Sequence, residues 1–437
     1  MKRTLFGTFF VLAALSPALF GADITVPRLE WFSRGSMVND ELVIASAAEA
    51  ELAVNGGYKY GITLGLGLEV PNMERAVSHG RLNLQHAASG SPPDAGEYNK
   101  LVDEVNDRFN NQATLSFRML EATARELFGK PLDFSFFTGT YDSLASGDDF
   151  APNFGTAPVG TDLRGFFYYA DGLRVLDPRA PLPPSVVPEQ DPGIRFNGAI
   201  HTITGTGGKI TYTPADRIIT SFYIYQDLSF RDSGTGAART GHYSGDLSLL
   251  ANFEHIKLEA FAGSTYSNDR ETKEETVFRG GLLACFSSGA GTELLIQAGV
   301  PYWRKGGDFA IDNCYFLLEP RFRFGIAGLT LTFFYRPSYY NNRMIVDEDG
   351  KREHGLADIN AKLFFGSLET SAVQGGIEGT VELGIRENED IKMWISPFLS
   401  AVSSGLLWDF KVRINPRYFT SGESTAAEGY IGIRTSF

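Results

Sequence analysis

Residues 58–70 read Tyr-Lys-Tyr-Gly-Ile-Thr-Leu-Gly-Leu-Gly-Leu-Glu-Val, so that from Tyr58 onward every second side chain is apolar. A period of two is that of a β-strand with one apolar and one polar face. The run is longer than the about five or six residues of an ordinary strand. Its length suits a tilted strand that crosses the hydrocarbon core of a membrane.

The same alternation recurs through the second half of the chain. The last residues, 429–437, read Gly-Tyr-Ile-Gly-Ile-Arg-Thr-Ser-Phe and place Phe437 at the end of a mostly apolar stripe. Further alternating runs lie at 246–253, 256–262, 313–324, 329–336, 358–365, 377–386, 391–396 and 408–415. A soluble sandwich also alternates, but its strands are shorter. Long amphipathic runs in series therefore favour a transmembrane barrel.

The connections between these runs alternate in length. Short ones such as 403–405 and 325–328 are followed by longer ones such as 341–355. Transmembrane barrels have short turns at one end and longer loops at the other, and they are rich in glycine and aromatic residues. The chain has 48 glycines and 13% aromatic residues. We therefore predict an all-β fold, an antiparallel up-and-down barrel with an even number of strands, about 14 to 18.

The first residues have the features of an export signal. Lys2 and Arg3 precede an apolar stretch from Leu5 to Phe20. This pattern predicts a signal peptide over 1–22. We expect a periplasmic amino-terminal segment over 23–44 and the barrel over 45–437. The net charge of −13 argues against a nucleic-acid partner.

Two segments do not have the pattern of a barrel wall. Residues 97–109 carry apolar side chains at helical spacing and predict a short amphipathic helix. Residues 142–192 form a long insertion that contains an aromatic cluster and a proline-rich stretch. Loops of this length are usually functional or disordered. The insertion is therefore a candidate functional segment.

The export signal, the serial amphipathic strands, the alternating turn lengths and Phe437 together resemble bacterial outer-membrane β-barrels, most closely porin-like channels. The resemblance covers nearly all of the mature chain and is architectural. It implies that the insertion folds into the lumen as a constriction loop, with Asp148, Asp149, Arg164 and Arg174 as its charged residues. It also implies that Tyr430 and Phe437 form an assembly signal, and that the partners are outer-membrane lipid, the barrel-assembly machinery and periplasmic chaperones.

If the apolar stripes face lipid, the opposite faces line the lumen. The charged residues on those faces are Lys257, Glu259, Glu319, Arg321, Arg323, Arg336, Asp358, Lys362, Glu378, Glu382, Arg386, Lys392, Asp409, Lys411 and Arg413. Ionised groups away from bulk water need water or close pairing. Two interpretations stay open for Arg321, Arg323 and Arg336: a basic ladder that contacts acidic solutes, or cross-strand salt bridges that stiffen the wall.

Catalytic and metal-binding motifs are weak in this sequence. The six histidines lie in no recognisable nucleophile motif, and we predict no enzyme activity, no metal and no cofactor. The favoured function is a passive channel for small polar solutes. The alternatives are a facilitator for hydrophobic substrates that resembles fatty-acid transporters, and a surface structural or adhesin barrel with a closed lumen.

Overall fold

The computed structural model shows one sheet of 18 strands that closes on itself. The structure describes residues 23–38, 41–70, 114–156, 159–162, 200–229, 240–267, 275–306, 309, 314–336, 356–368, 371–384, 391–416 and 427–435. Within these ranges the helical elements are a 3-10 turn at Leu127–Gly129 and a short helix α1 at Phe150–Phe154. None of the helices in the described ranges is long and apolar enough to span a membrane.

The strands follow one another along the chain. In order they are β1 Asp23–Val38, β2 Glu41–Gly56, β3 Tyr60–Val70, β4 Thr114–Ala124, β5 Leu132–Leu144, β6 His201–Ala215, β7 Ile218–Asp227, β8 His242–Asn252, β9 Ile256–Ser267, β10 Glu275–Ser287, β11 Thr292–Arg304, β12 Tyr315–Phe324, β13 Ala327–Arg336, β14 Leu356–Ser367, β15 Val373–Gly384, β16 Lys392–Ser403, β17 Leu406–Ile414 and β18 Ala427–Thr435. Most are long enough to cross a bilayer at a tilt.

Every strand pairs antiparallel with its neighbours in sequence, and the first pairs with the last. Trp31 of β1 is opposite Ala48 of β2 on one side and Ile433 of β18 on the other. This pairing closes the sheet and leaves no free edge, which is what a membrane-spanning sheet requires. The predicted antiparallel up-and-down barrel with an even strand number is confirmed.

The two ends of the barrel differ in the length of their connections. Turns at one end are tight, as at 216–217, 325–326 and 404–405. The connections at the other end include 145–200 and 337–355. The predicted alternation of short and long connections is therefore confirmed. Because β1 begins and β18 ends at the tight-turn end, both chain ends of the barrel lie there.

The boundary between the amino-terminal segment and the barrel was predicted wrongly. Residues 23–38 form β1, and β2 begins at Glu41, so the predicted periplasmic segment over 23–44 lies mostly within the barrel wall. The alternation of β1 is interrupted by the register shift between Thr25 and Arg28, at Pro27. Proline cannot donate to a sheet ladder and favours such irregular positions. This irregularity hid the strand in the sequence.

The bounds around the insertion also need correction. β5 continues through Asp142 to Leu144, so the predicted insertion begins inside a strand, and β6 at His201–Ala215 is not among the alternating runs found in the sequence. Glycines in β6 interrupt its apolar pattern because a neighbour packs over them. A Cβ on Gly207 would lie 2.4 Å from the Cβ of Tyr225. The helix predicted at 97–109 lies outside the described residues.

Alternate residues of each strand point to opposite sides of the barrel wall. On β7, Phe222 and Ile224 are exposed, whereas Tyr223 and Tyr225 are only 1% and 2% exposed. Because the barrel is closed, the buried set faces the interior and the exposed apolar set faces outward. The exterior therefore has the apolar surface that lipid requires.

Candidate functional site in the barrel interior

The residues predicted to line the lumen lie on the inward faces wherever their side chains are described. Residues paired across an antiparallel ladder share a face, and the register of β9 to β18 puts this group on the buried side. The described members are Lys257, Glu259, Glu319, Arg321, Arg323, Asp358, Lys362, Glu378, Asp409, Lys411 and Arg413. Their role in a pore stays a prediction.

The side chains of the other four predicted lumen residues are not described. Arg336, Glu382 and Lys392 lie on β13, β15 and β16, with side chains outside the description. Arg386 lies outside the described residues. Of the three arginines of the predicted ladder, Arg321 and Arg323 on β12 therefore have described side chains, and Arg336 does not.

The start of the insertion folds into the barrel. We call its described residues, 145–156 and 159–162, the inner segment. The Glu259 carboxylate on β9 accepts hydrogen bonds from the backbone N–H groups of Ala145, at 2.5 Å, and Gly147, at 2.9 Å. The side-chain amide of Gln297 on β11 donates to the Ala145 carbonyl at 2.6 Å. Glu259 and Gln297 are fully buried. These contacts attach the first turn of the segment to β9 and β11.

A second carboxylate holds the other end of the inner segment. Glu319 on β12 accepts from the Asp162 backbone N–H at 3.0 Å and from the Thr161 hydroxyl. It also accepts from the Thr332 hydroxyl at 2.6 Å and from the Arg321 Nε at 2.7 Å. Hydrogen bonds to a charged acceptor are stronger than neutral ones. The inner segment is therefore attached at both ends by buried glutamates.

The two ends of the inner segment also contact each other. The Val159 N–H donates to the Gly147 carbonyl at 3.3 Å. Gly147 has a φ of 80°, and a Cβ at this position would lie 2.0 Å from the Val159 carbonyl oxygen. Only glycine fits a positive φ combined with so close an approach. The loop between these residues carries α1.

Apolar contacts fill the space beneath the segment. Phe150 of α1 and Val159 belong to one buried cluster with residues from the wall. The wall residues of this cluster are Phe137, Leu144, Ile203, Tyr223, Tyr225, Leu250, Phe261, Leu283, Cys285, Leu295, Tyr315, Leu317 and Phe334. They come from β5 to β13, whose inward faces we call the covered wall. A core of this kind is stabilised by the removal of apolar area from water.

A polar network lies within the covered wall. Arg279 on β10 donates two hydrogen bonds to the Asp246 carboxylate on β8, each at 2.7 Å, and one to the Tyr225 hydroxyl at 3.1 Å. The His201 ring is 3.1 Å from the same hydroxyl. Such a two-point arginine–carboxylate pair fixes geometry as well as charge. Arg279 was not among the predicted lumen residues, although the polar face of β8, which carries its partner Asp246, is recognisable in the sequence.

The remaining strands present a different interior. We call the inward faces of β14–β18 and β1–β4 the ionic wall. Lys411 contacts Glu378 at 2.5 Å, with both side chains at most 5% exposed. The Arg413 guanidinium lies 3.6 Å from the centre of the Trp394 ring. A guanidinium over an indole face is a favourable cation–π arrangement.

Charge pairing continues on the first four strands. Arg28 on β1 lies 2.8 Å from Glu30, 3.2 Å from Glu49 and 3.6 Å from Glu51. Arg118 on β4 reaches Glu49 on β2 at 3.5 Å and therefore crosses β3. The ionic wall thus consists of interlinked charges of both signs. These charges of the first strands were not predicted, because the pattern of β1 does not identify it as a strand.

The predicted constriction residues are only partly described. Asp148 is exposed and contacts the Ser146 hydroxyl at 3.2 Å, and Asp149 is half-buried. Arg164 and Arg174 lie outside the described residues, as does Phe437. Tyr430 is buried on the inward face of β18 and donates to Glu428 at 2.7 Å. No group of acidic, histidine or cysteine side chains suited to a metal ion occurs within the described ranges.

Comparison with solved structures finds similar folds at low identity. OccAB3 of Acinetobacter baumannii is 8% identical, with 95% of this chain and 99% of that one covered and a TM-score of 0.49. OccAB2 of the same organism is 12% identical, with 95% and 98% covered and a TM-score of 0.48. A triple mutant of the Rhodopseudomonas blastica porin is 10% identical, with 95% and 100% covered and a TM-score of 0.40. No family model and no curated protein matches the chain.

The fold and the distribution of side chains define the class of the protein. It is a closed antiparallel barrel with an apolar exterior and a charged interior, which is the architecture of a porin-like transmembrane β-barrel.

Proposed function

We propose that this chain forms a channel for passive diffusion of small polar solutes across the bacterial outer membrane. The observation that carries the proposal is the ionic wall, where charges of both signs from β1–β4 and β14–β18 face the barrel interior. Ionised groups in a membrane protein favour a water-filled interior. Polar solutes would meet the more exposed charges of this wall, such as Arg28 with a side chain 32% exposed and Glu51 with one 29% exposed, as the selective surface of the pore.

The inner segment supports the same proposal by narrowing the interior from one side. Barrels of about 16 to 18 strands leave an aqueous channel when nothing fills them. The two glutamate attachments hold the segment on the covered wall. Solutes would then pass between the inner segment and the ionic wall. Phe150 and Val159 occupy the apolar patch of the interior, which favours polar solutes over a facilitator for hydrophobic substrates. The proposal includes no catalytic step.

We further propose that the protein is an integral outer-membrane protein, delivered by periplasmic chaperones and inserted by the barrel-assembly machinery. The support is the export pattern of residues 1–22 and the aromatic Phe437 at the chain end. Deleting Phe437 should lower the amount of folded protein at the outer membrane, measured by heat-modifiable migration. An unchanged amount would contradict the assembly role.

The channel is tested by reconstitution in a planar bilayer. Detergent-folded protein that shows heat-modifiable migration should produce stepwise conductance. Replacing 146–199 by a short glycine linker, which leaves β5 and β6 intact, should raise the conductance by about twofold or more if the inner segment narrows the pore. A well-folded barrel without conductance would overturn the channel proposal. Equal conductance before and after the replacement would place the constriction elsewhere.

A further inference from the structure

The carboxylate of Asp162, at the end of the inner segment, lies among cations of the barrel wall. The Thr330 hydroxyl on β13 donates to it at 2.7 Å. Lys362 on β14 and Arg321 and Arg323 on β12 act on it electrostatically. Burial alone would raise the pKa of Asp162, but Lys362, Arg321 and the Thr330 hydrogen bond outweigh burial and lower this pKa to about 2. Asp162 is therefore ionised at neutral pH.

Arg321, one of the wall residues around Asp162, is held in place by contacts of its own. Glu319 accepts from the Arg321 Nε at 2.7 Å, and Glu293 lies 3.5 Å from Arg321 Nη1. Arg321 also donates to the Gly160 carbonyl. The arginine is thus oriented by contacts that do not involve the Asp162 side chain. The cation cluster belongs to the wall, and Asp162 is the carboxylate that it binds.

We infer that the inward face of β12–β14 is a binding site for small anions, and that Asp162 occupies it as a tethered competitor which sets the charge selectivity of the pore. The inference deepens the proposed channel function and rests on it. A hydroxyl donor with nearby lysine and arginine is a general arrangement for carboxylate and other oxyanions. The Asp162 side chain shows that a carboxylate fits there.

Tethering has a quantitative consequence for a permeating anion. A ligand on a short tether competes at an effective concentration of the order of millimolar. Free anions would therefore replace Asp162 only when abundant, and they would bind weakly. Weak binding suits a channel, because a solute must leave the site as readily as it enters.

The charge of Asp162 can be removed with little change in shape. Asp162→Asn keeps an oxygen that accepts from Thr330 and leaves Lys362, Arg321 and Arg323 without their tethered anion. The matched control is Asp148→Asn, which removes one charge from the same segment at an exposed side chain that contacts Ser146. Asp162→Ser gives a second charge-removing variant if the first folds poorly. Each variant is checked by heat-modifiable migration.

Acetate, which presents the same carboxylate group as Asp162, is the probe, and chloride is the reference anion. In detergent, acetate should raise the thermal unfolding temperature of Asp162→Asn well above its effect on the original protein and on Asp148→Asn. Adding Lys362→Met to Asp162→Asn should abolish this gain. Equal acetate effects in the Asp162→Asn and Asp148→Asn variants would overturn the inference, and this measurement does not depend on conduction.

The second measurement is the reversal potential across a bilayer in a salt gradient. Asp162→Asn should increase the permeability ratio of acetate to potassium several-fold, and Asp148→Asn should change it less. An equal change in both variants would contradict the selectivity role of Asp162. Absence of conductance in every variant would instead overturn the channel proposal, while the acetate measurement in detergent would still decide whether the site exists.

Discussion

The covered wall and the ionic wall have the same alternating sequence pattern, but their inward carboxylates bind different partners. Both consist of alternating strands whose inward faces include charged and polar residues, and on the covered wall apolar residues such as Phe261 and Leu283 also face inward. On the covered wall, Glu259 and Glu319 accept hydrogen bonds from the backbone of the inner segment. On the ionic wall, Glu378 and Glu49 pair with basic side chains of other strands. The difference is the partner, backbone N–H in one case and a cation in the other.

One barrel interior can therefore contain both a packed core and a charged surface. A carboxylate that faces a folded segment can satisfy peptide groups that would otherwise be buried without a partner. A carboxylate that faces a strand with basic residues forms an ion pair. The strand pattern is therefore common to both walls. The role of each carboxylate depends on whether it faces the inner segment or a basic side chain.

The largest expected effect concerns the ion pair of the ionic wall. Lys411→Met would leave the buried Glu378 carboxylate without its cation, although Asn360 would still donate to it at 2.7 Å. Breaking a buried pair costs about 3 kcal/mol or more. We expect that loss in the free energy of unfolding, measured by urea titration in detergent micelles. The double variant Lys411→Met with Glu378→Gln should be less destabilised. Equal losses would contradict the pairing.

On the covered wall, removing a carboxylate should loosen the segment and leave the barrel folded. Glu259→Ala leaves the N–H groups of Ala145 and Gly147 without their acceptor, at a cost of about 2 kcal/mol. Amide hydrogen exchange at these two residues should accelerate, and the channel current should become noisier. Glu259→Gln retains one acceptor oxygen and should have a smaller effect. Unchanged exchange in Glu259→Ala would show that the apolar cluster alone holds the segment.

The smallest expected effect concerns pH. Burial, with the nearby negative charge of Asp142, raises the pKa of Asp149 from its ordinary 3.8 to about 7. Because the folded protein holds this proton more tightly than the unfolded chain, the contribution of Asp149 to stability is full below about pH 4 and is lost as the pH rises through about 7. Asp149→Asn should therefore be the more stable form only at high pH.

The advantage of Asp149→Asn should be below about 1 kcal/mol, since solvent screens a half-buried charge. Thermal unfolding at about pH 4 and about pH 8 measures it. The exposed Asp148 supplies the control: Asp148→Asn should show little dependence on pH. A gain for Asp149→Asn that is the same at both pH values would rule out titration of Asp149 as its cause.

Much of the wall was predictable because a strand between lipid and a polar interior must alternate. The runs that contain Leu247, Leu249 and Asp246 were assigned correctly, and their inward and outward faces agree with the structure. β1 was missed because Pro27 and the register shift interrupt its pattern. β6 was missed in part because glycines such as Gly207 replace apolar residues where Tyr225 packs closely.

For the candidate site, the sequence predicted which residues share a face but not which of them contact each other. Alternation placed Glu259, Glu319, Lys411 and Glu378 on one face, but a period of two has no information about what lies across the interior. The attachment of Ala145 and Gly147 to Glu259 joins residues more than one hundred positions apart. Nothing local in either stretch encodes that contact.

The amino-acid pattern alone predicts a barrel with an apolar exterior, a charged interior and turns of alternating length. It could do so because lipid and water act on each strand separately, and each strand therefore carries the pattern in its own residues. The folded barrel is needed to show which carboxylates hold the inner segment and which pair with cations. It is also needed to show that Asp162 lies near Lys362 and Arg321. These contacts join residues that are far apart in the chain, and the residues come within contact distance only when the barrel closes.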